Sequence, residues 1–250
     1  MNRIGWKGLL ALVFFFTQNG IAAAATRNIM LIGYWPPTNE MLLPFSANPH
    51  QNGGTWIGRN WNNSGYDIYA YFPEYRDSSD IIGYGDFPVD FAATYNDFQR
   101  ITRRLKPVAI VAFGRGAGPW EIESVFPPNY QNYFESGVLP SKIGERVEIP
   151  IPASLTENRL RYGSLPMREI EDEVNAAPGT LRAWTDNQGA GTFLCGFLGY
   201  LTSWYQEIHA DAADPAHTAA AGFIHVDGGR PEAEASLRAT LRALTQDLPR

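Results

Sequence analysis

At 250 residues, 44% hydrophobic and 18% charged, the chain is long enough to bury one substantial α/β core. Its net charge of −6 and the lack of any basic run exclude a surface that tracks a polyanion, so nucleic acid is not an expected partner. The four histidines are scattered, so a metal cluster would have to be assembled by the fold, and no recognised ligand spacing points to a metal.

Residues 1–25 read as a secretory signal. Arg3 and Lys7 give a positive start, Leu9 to Phe16 an apolar core, and Ala22 to Ala25 small residues in an A-x-A arrangement. The apolar run is well short of the roughly 20 residues that a membrane anchor needs. The expectation is an exported chain, periplasmic or secreted, with no stable membrane insertion after signal removal and one domain over residues 26–250. Asn28 to Tyr34 (NIMLIGY) reads as a short apolar strand. Residues 36–65, rich in Asn, Gly, Pro and Trp and without a period, read as a long loop. Within it, Trp56 to Asn63 either lines a sugar or peptide cleft or packs on its own aromatics. Tyr66 to Phe72 alternates and is aromatic, as a strand would be.

Phe91, Tyr95, Phe98, Ile101 and Leu105 recur at helical spacing, and the pattern stops before Pro107. Val108 to Phe113 is a continuous apolar run of the kind found in buried parallel strands. Leu165, Met167, Ile170 and Val174 mark another helix, and Leu181 to Thr185 a weaker strand. A helical stripe from Phe197 to Ile208 begins just after Cys195. Gly222 to Val226 reads as a last buried strand, and Leu237, Leu241, Leu244 and Leu248 as a closing amphipathic helix. This alternation predicts a three-layer α/β/α sandwich around a twisted, mostly parallel (mixed) sheet.

Polar groups gather at the ends of strands, where open α/β sheets bind ligands. Gly114-Arg115-Gly116-Ala117-Gly118 follows one strand and leads to Glu121 and Glu123; Gly189 to Cys195 leads into a helix; His225 lies in the last strand. Cys195 is the only cysteine, so no disulfide within the chain can use it. At a helix start, free N–H groups and the dipole favour the thiolate, which is the nucleophilic form. The preceding glycines let backbone N–H groups reach a developing oxyanion. His225 as base, oriented by a carboxylate, would complete a Cys-His-acid arrangement; the plainer alternative for Cys195 is a small buried hydrophobe. His209, Asp211, Asp214 and His217 sit in an Ala-rich stretch and read as solvated, as do Glu171, Asp172 and Glu173 on a helix face. Asn62-Asn63-Ser64 matches a glycosylation sequon, a pattern common by chance.

Five segments, in order from about residue 30 to 226, resemble the pyroglutamyl peptidase I family. GAGTFLCGFLGYLTSW resembles its nucleophile segment, GFIHV its histidine segment, and YGSLPMREIEDEV the helix between acid and cysteine. IMLIGYWPP resembles the opening strand and turn, and PVAIVAFGRGAG the strand leading into a glycine turn. The resemblance implies an α/β/α fold and a cofactor-free cysteine peptidase that removes N-terminal pyroglutamate from a peptide or small amide. It places Cys195 as nucleophile, His225 as general base, and Glu123 as the acid, given two residues missing after Gly118; Glu121 is the alternative. Phe193 matches the aromatic that stacks on the pyrrolidone ring, and Tyr34, Arg115 and Leu194 fall in substrate-binding segments.

Three positions depart from the family pattern. Arg115 stands where Gln is usual, Pro37 replaces the second aromatic of the opening turn, and Gly196 replaces an Asn after the cysteine. Arginine only donates hydrogen bonds and always carries charge, so a site with Arg115 would read a different set of acceptors, such as a carboxylate. Two other readings therefore stand beside the peptidase: a non-catalytic binding protein on the same fold, and an amidase for a different, acidic acyl group.

Overall fold

The structure, a computed structural model, describes residues 27–141 and 145–249; the expected signal over 1–25 lies outside them. Six strands form one sheet: β1 (Arg27–Ile32), β2 (Tyr66–Tyr71), β3 (Ala109–Arg115), β4 (Trp120–Glu123), β5 (Ala183–Asp186) and β6 (Ala220–Val226). Their order across the sheet is β5-β4-β6-β3-β1-β2. Every pairing is parallel except β4 with β6, so β4 and β5 run against the other four. The sheet is thus mixed and mostly parallel.

Alternation along the strands sorts side chains into two cores. Ile29, Leu31, Val111, Phe113, Ile122, Ile224 and Val226 face helices α2 (Met167–Ala176) and α4 (Arg230–Asp247). Met30, Ile32, Ile110, Ala112, Ala221 and Phe223 face α1 (Phe91–Leu105) and α3 (Leu194–Ile208). Helices therefore cover both faces in three layers. The Asp90 side chain caps α1 by accepting from Ala93 N–H at 2.6 Å, satisfying one of the free donors of its first turn. The helix ends at Lys106, whose left-handed φ of 48° turns the chain toward Pro107. Helix α3 is buried along nearly its whole length, which explains its almost unbroken apolar sequence.

Three expectations need correction. Residues 36–65 are not a structureless loop: they hold short helices at Thr38–Leu42 and Pro49–Asn52 and 3-10 turns at Leu43–Phe45 and Trp61–Asn63. Trp61 is buried against Phe45, and the half-buried Trp56 stacks on Tyr69. The weak strand runs Ala183–Asp186 rather than Leu181 to Thr185. Trp120–Glu123, read as the sequel to a glycine turn, is a full sheet strand. Among the described residues, no helix is long and apolar enough to cross a membrane.

Candidate active site

Strand β6 lies between β3 and β4, and this places its His225 directly across from Gly114 on one side and Glu121 on the other. The same register sets Phe223 across from Glu123. Glu121, Glu123, Phe223 and His225 all project to the α3 side, because Trp120, Ile122, Ile224 and Val226 take the opposite face. His225 Nδ1 meets Glu123 Oε1 at 2.6 Å. The Glu123 side chain is only 1% exposed, and its Oε2 has no hydrogen-bond partner. Glu121 Oε2 stands 3.9 Å from the same ring nitrogen.

Cys195 is the second residue of α3, and no side chain caps that helix at Phe193. Its first-turn N–H groups are therefore free to favour negative charge nearby. The thiol lies over Gly114: a Cβ built on that glycine would come within 2.7 Å of Sγ and 2.7 Å of the Phe223 ring. The Cys195 thiol stands close enough to the His225 imidazole to favour its charged form. With Nδ1 held by Glu123, Nε2 is the nitrogen left for the thiol. Burial works against a charged imidazole here, but hydrogen bonds and charge from Cys195 and Glu123 outweigh it and raise His225 to about 10. Burial raises the Glu123 carboxyl, the His225 hydrogen bond and charge oppose that rise, and the charges of Asp186 and Glu121 add to it.

No family model matches the chain, and no curated protein matches its sequence. Solved structures do match. The pyrrolidone carboxyl peptidase of the hyperthermophile Pyrococcus furiosus superposes with a TM-score of 0.59 at 14% identity, over 89% of this chain and 100% of its own. That of Thermococcus litoralis gives 0.55 at 15% identity, over 88% and 94%. The chain has a pyrrolidone carboxyl peptidase-like fold. At this identity the likeness is one of architecture, and what the site does has to be argued from its own residues.

Against that peptidase-like frame, Cys195, His225 and Glu123 meet at one point, whereas the expected substrate-binding residues divide. Phe193 is 58% exposed and sits edge-on to Phe91, with a centroid distance of 5.6 Å. Leu194 is buried, and with Phe193, Val89, Phe91, Pro140 and Ser141 it borders a cleft of about 200 Å³. Tyr34 is also buried. Its hydroxyl is hydrogen-bonded to Thr94 at 3.0 Å, and its phenol is held well above the usual range by that burial. Its hydroxyl is thus committed to Thr94 rather than free for a substrate. The structure does not bring Arg115 to Cys195: strand alternation sends it to the face of Val111 and Phe113, and it makes no ion pair among the described residues.

The glycine turn has a role that sequence reasoning missed. A Cβ on Gly116 would strike His225 and Glu121, and one on Gly118 would strike Trp184 and Glu121. These glycines make room for the imidazole and a carboxylate. The Gly196 departure has a similar cause, since a Cβ there would strike the Gly191 carbonyl and lie 2.5 Å from the Tyr130 hydroxyl. Tyr130 was not anticipated either. Its hydroxyl donates to the Phe193 carbonyl at 2.7 Å, tying down the backbone just before Cys195. Burial, with the Cys195 charge adding to it, raises the Tyr130 phenol, so it remains a donor. No motif signals this residue; only its place between two prolines and a short helix hints at a built turn.

Glu121, Glu123 and His225 bring ligand-type atoms within 4.8 Å of one another. Nδ1 and Glu123 Oε1 already satisfy each other, so the group is a hydrogen-bonded acid–base network rather than an open cradle. His209, Asp211, Asp214 and His217 form no such group among the described residues; His209 Nδ1 instead pairs with Asp214 at 2.7 Å.

Proposed function

We propose that the chain is a cysteine-dependent hydrolase that removes an N-terminal pyroglutamyl or related residue from peptides. The observation that carries this reading is the buried Glu123–His225 hydrogen bond beside a helix-start thiol, an arrangement of orienter, base and nucleophile in sequence. The pyrrolidone carboxyl peptidase fold supports the substrate class.

In this reading the Cys195 thiolate attacks the amide carbonyl carbon, and first-turn N–H groups of α3 receive the charge that develops on oxygen. His225 Nε2 gives its proton to the leaving amine as the C–N bond breaks, leaving a thioester. The now neutral imidazole takes a proton from water, whose oxygen attacks the thioester. The acid departs and the thiol–imidazole pair is restored. Glu123 keeps the imidazole in the tautomer that presents Nε2. Phe193, exposed on the rim, offers a flat apolar surface for a small ring. The signal pattern at residues 1–25 goes with action outside the cytoplasm.

The test is a panel of pyroglutamyl, glutamyl and alanyl amides given to purified protein, with Cys195→Ala and iodoacetamide treatment as controls. Hydrolysis of the pyroglutamyl amide that vanishes in both controls is expected. Equal hydrolysis by Cys195→Ala would remove the nucleophile assignment, and binding without turnover would favour a non-catalytic receptor. Preference for the glutamyl amide would favour the acidic-acyl amidase, which the position of Arg115 does not support.

A further inference from the structure

We propose that Glu121 is a positioning residue, a second carboxylate that stands across the sheet from His225 and holds its imidazole charged and turned toward Cys195. The proposal deepens the hydrolase reading and rests on it only for the catalytic consequence. Glu121 is the direct cross-strand partner of His225, whereas Glu123 reaches it diagonally from its place opposite Phe223. At 3.9 Å from Nδ1, Glu121 is too far to share the proton already donated to Glu123, so it acts through charge. Among the described residues it has no other ionic partner. Its side chain keeps 17% exposure, against 1% for Glu123. Glu121 thus keeps contact with water, whereas burial raises the Glu123 carboxyl.

The surrounding backbone is shaped for this carboxylate. Gly118 leaves space that Glu121 Oε1 and the Trp184 ring fill, and a Cβ on Gly116 would come within 2.8 Å of Glu121 Oε2. Trp184 is its register partner on β5, so the carboxylate is held between an imidazole and an indole. The charges facing His225 are few. They are Cys195 from α3, Glu121 and Glu123 from β4, and Asp186 from β5 beside Glu123. From β3 and the turn after it come only Gly114 and Gly116, since Arg115 takes the other face. Among the described residues the imidazole is thus the one cationic group facing these acids, and Glu121, 3.9 Å from its Nδ1, favours the charged form.

The experiment is a pH titration of the His225 imidazole by NMR in the full protein, assigned with His225→Asn. An opposite charge within about 4–6 Å shifts a titration by about 1–3 units, and partial exposure places this one near the low end. Glu121→Gln is therefore expected to lower the His225 midpoint by about one unit, with Glu121→Asp restoring more than half of that. The onset of Cys195 alkylation by iodoacetamide should move to higher pH in Glu121→Gln and return in Glu121→Asp. If Glu121→Gln does not fold, Glu121→Ser removes the same charge with less bulk. A midpoint within about 0.2 units of the wild type, or an Asp variant displaced as far as the Gln variant, overturns the proposal. Neither readout uses a substrate, so failure of the peptide panel and failure of this assignment are separate results.

Discussion

Gly116 has no side chain because His225 occupies the space. A Cβ added there would lie 2.8 Å from His225 Cγ and 2.8 Å from Glu121 Oε2, and closer still to His225 Cβ. Non-bonded carbons need about 3.5–4.0 Å, and the nearest, His225 Cβ, would lie at 2.4 Å, so Gly116→Ala must open a gap of at least roughly 1.1 Å. The His225 side of this contact is not a loose end. The His225 Cβ belongs to a strand paired on both sides, and its ring is tied to Glu123 at 2.6 Å. Overpacking of this kind costs about 1–3 kcal/mol, and displacing a reacting group by about 1 Å costs about a hundredfold in rate. Urea unfolding of Gly116→Ala should therefore show a loss of about 1–2 kcal/mol, while kcat/KM on the pyroglutamyl amide falls by about 100-fold. A stability loss under about 0.5 kcal/mol with activity within about threefold would refute the reasoning, because the turn would then carry slack that the packing does not show.

Glu123→Gln keeps the volume but reverses the preferred tautomer at Nδ1; kcat is expected to fall by about 10²–10⁴, measured in steady state, with the circular dichroism spectrum unchanged. Tyr130→Phe frees the Phe193 carbonyl from its donor, and should cost about 1 kcal/mol in thermal unfolding and lower kcat more than it raises KM. The third expectation concerns pH. His225 is raised from 6.5 unfolded to about 10 folded, so its contribution to stability is complete below pH 6.5 and fades as pH climbs through 10. The stability difference between wild type and His225→Gln, followed by urea unfolding from pH 6 to 10, should shrink over that window. A constant difference would mean that the folded state does not hold the imidazole charged.

Much of this architecture was legible in the chain because its signals are local. The apolar run Val108 to Phe113, the period of Phe91 to Leu105 and the stripe after Cys195 each bury a whole face, and burial at a fixed period leaves a plain trace. Trp120–Glu123 was not legible as a strand. It is four residues long and half acidic, and its two carboxylates alternate inward only because a site needs them there. The same cause hid the order of its partners, since an antiparallel insertion between strands far apart in sequence leaves no local pattern. Cys195, His225 and Glu123 could be picked out by type and segment. Arg115 could not be placed without strand parity, which turns on a single residue of register. Tyr130 and the space-making duty of Gly116 and Gly118 are contacts between distant segments, and nothing in their own neighbourhood announces them.

The position of β6 has a consequence for the newly made chain. In the sheet order β5-β4-β6-β3, this strand separates two neighbours that are themselves consecutive in sequence, and it is the last to emerge. Until residues 220–226 are available, β3 and β4 lack the strand that pairs with both, and the six-stranded sheet cannot be completed. Cys195 is by then already present, but its base is not. The molecule therefore completes its thiol–imidazole pair in the same event that closes its sheet, so a nascent or unfinished copy carries only an ordinary, unactivated cysteine.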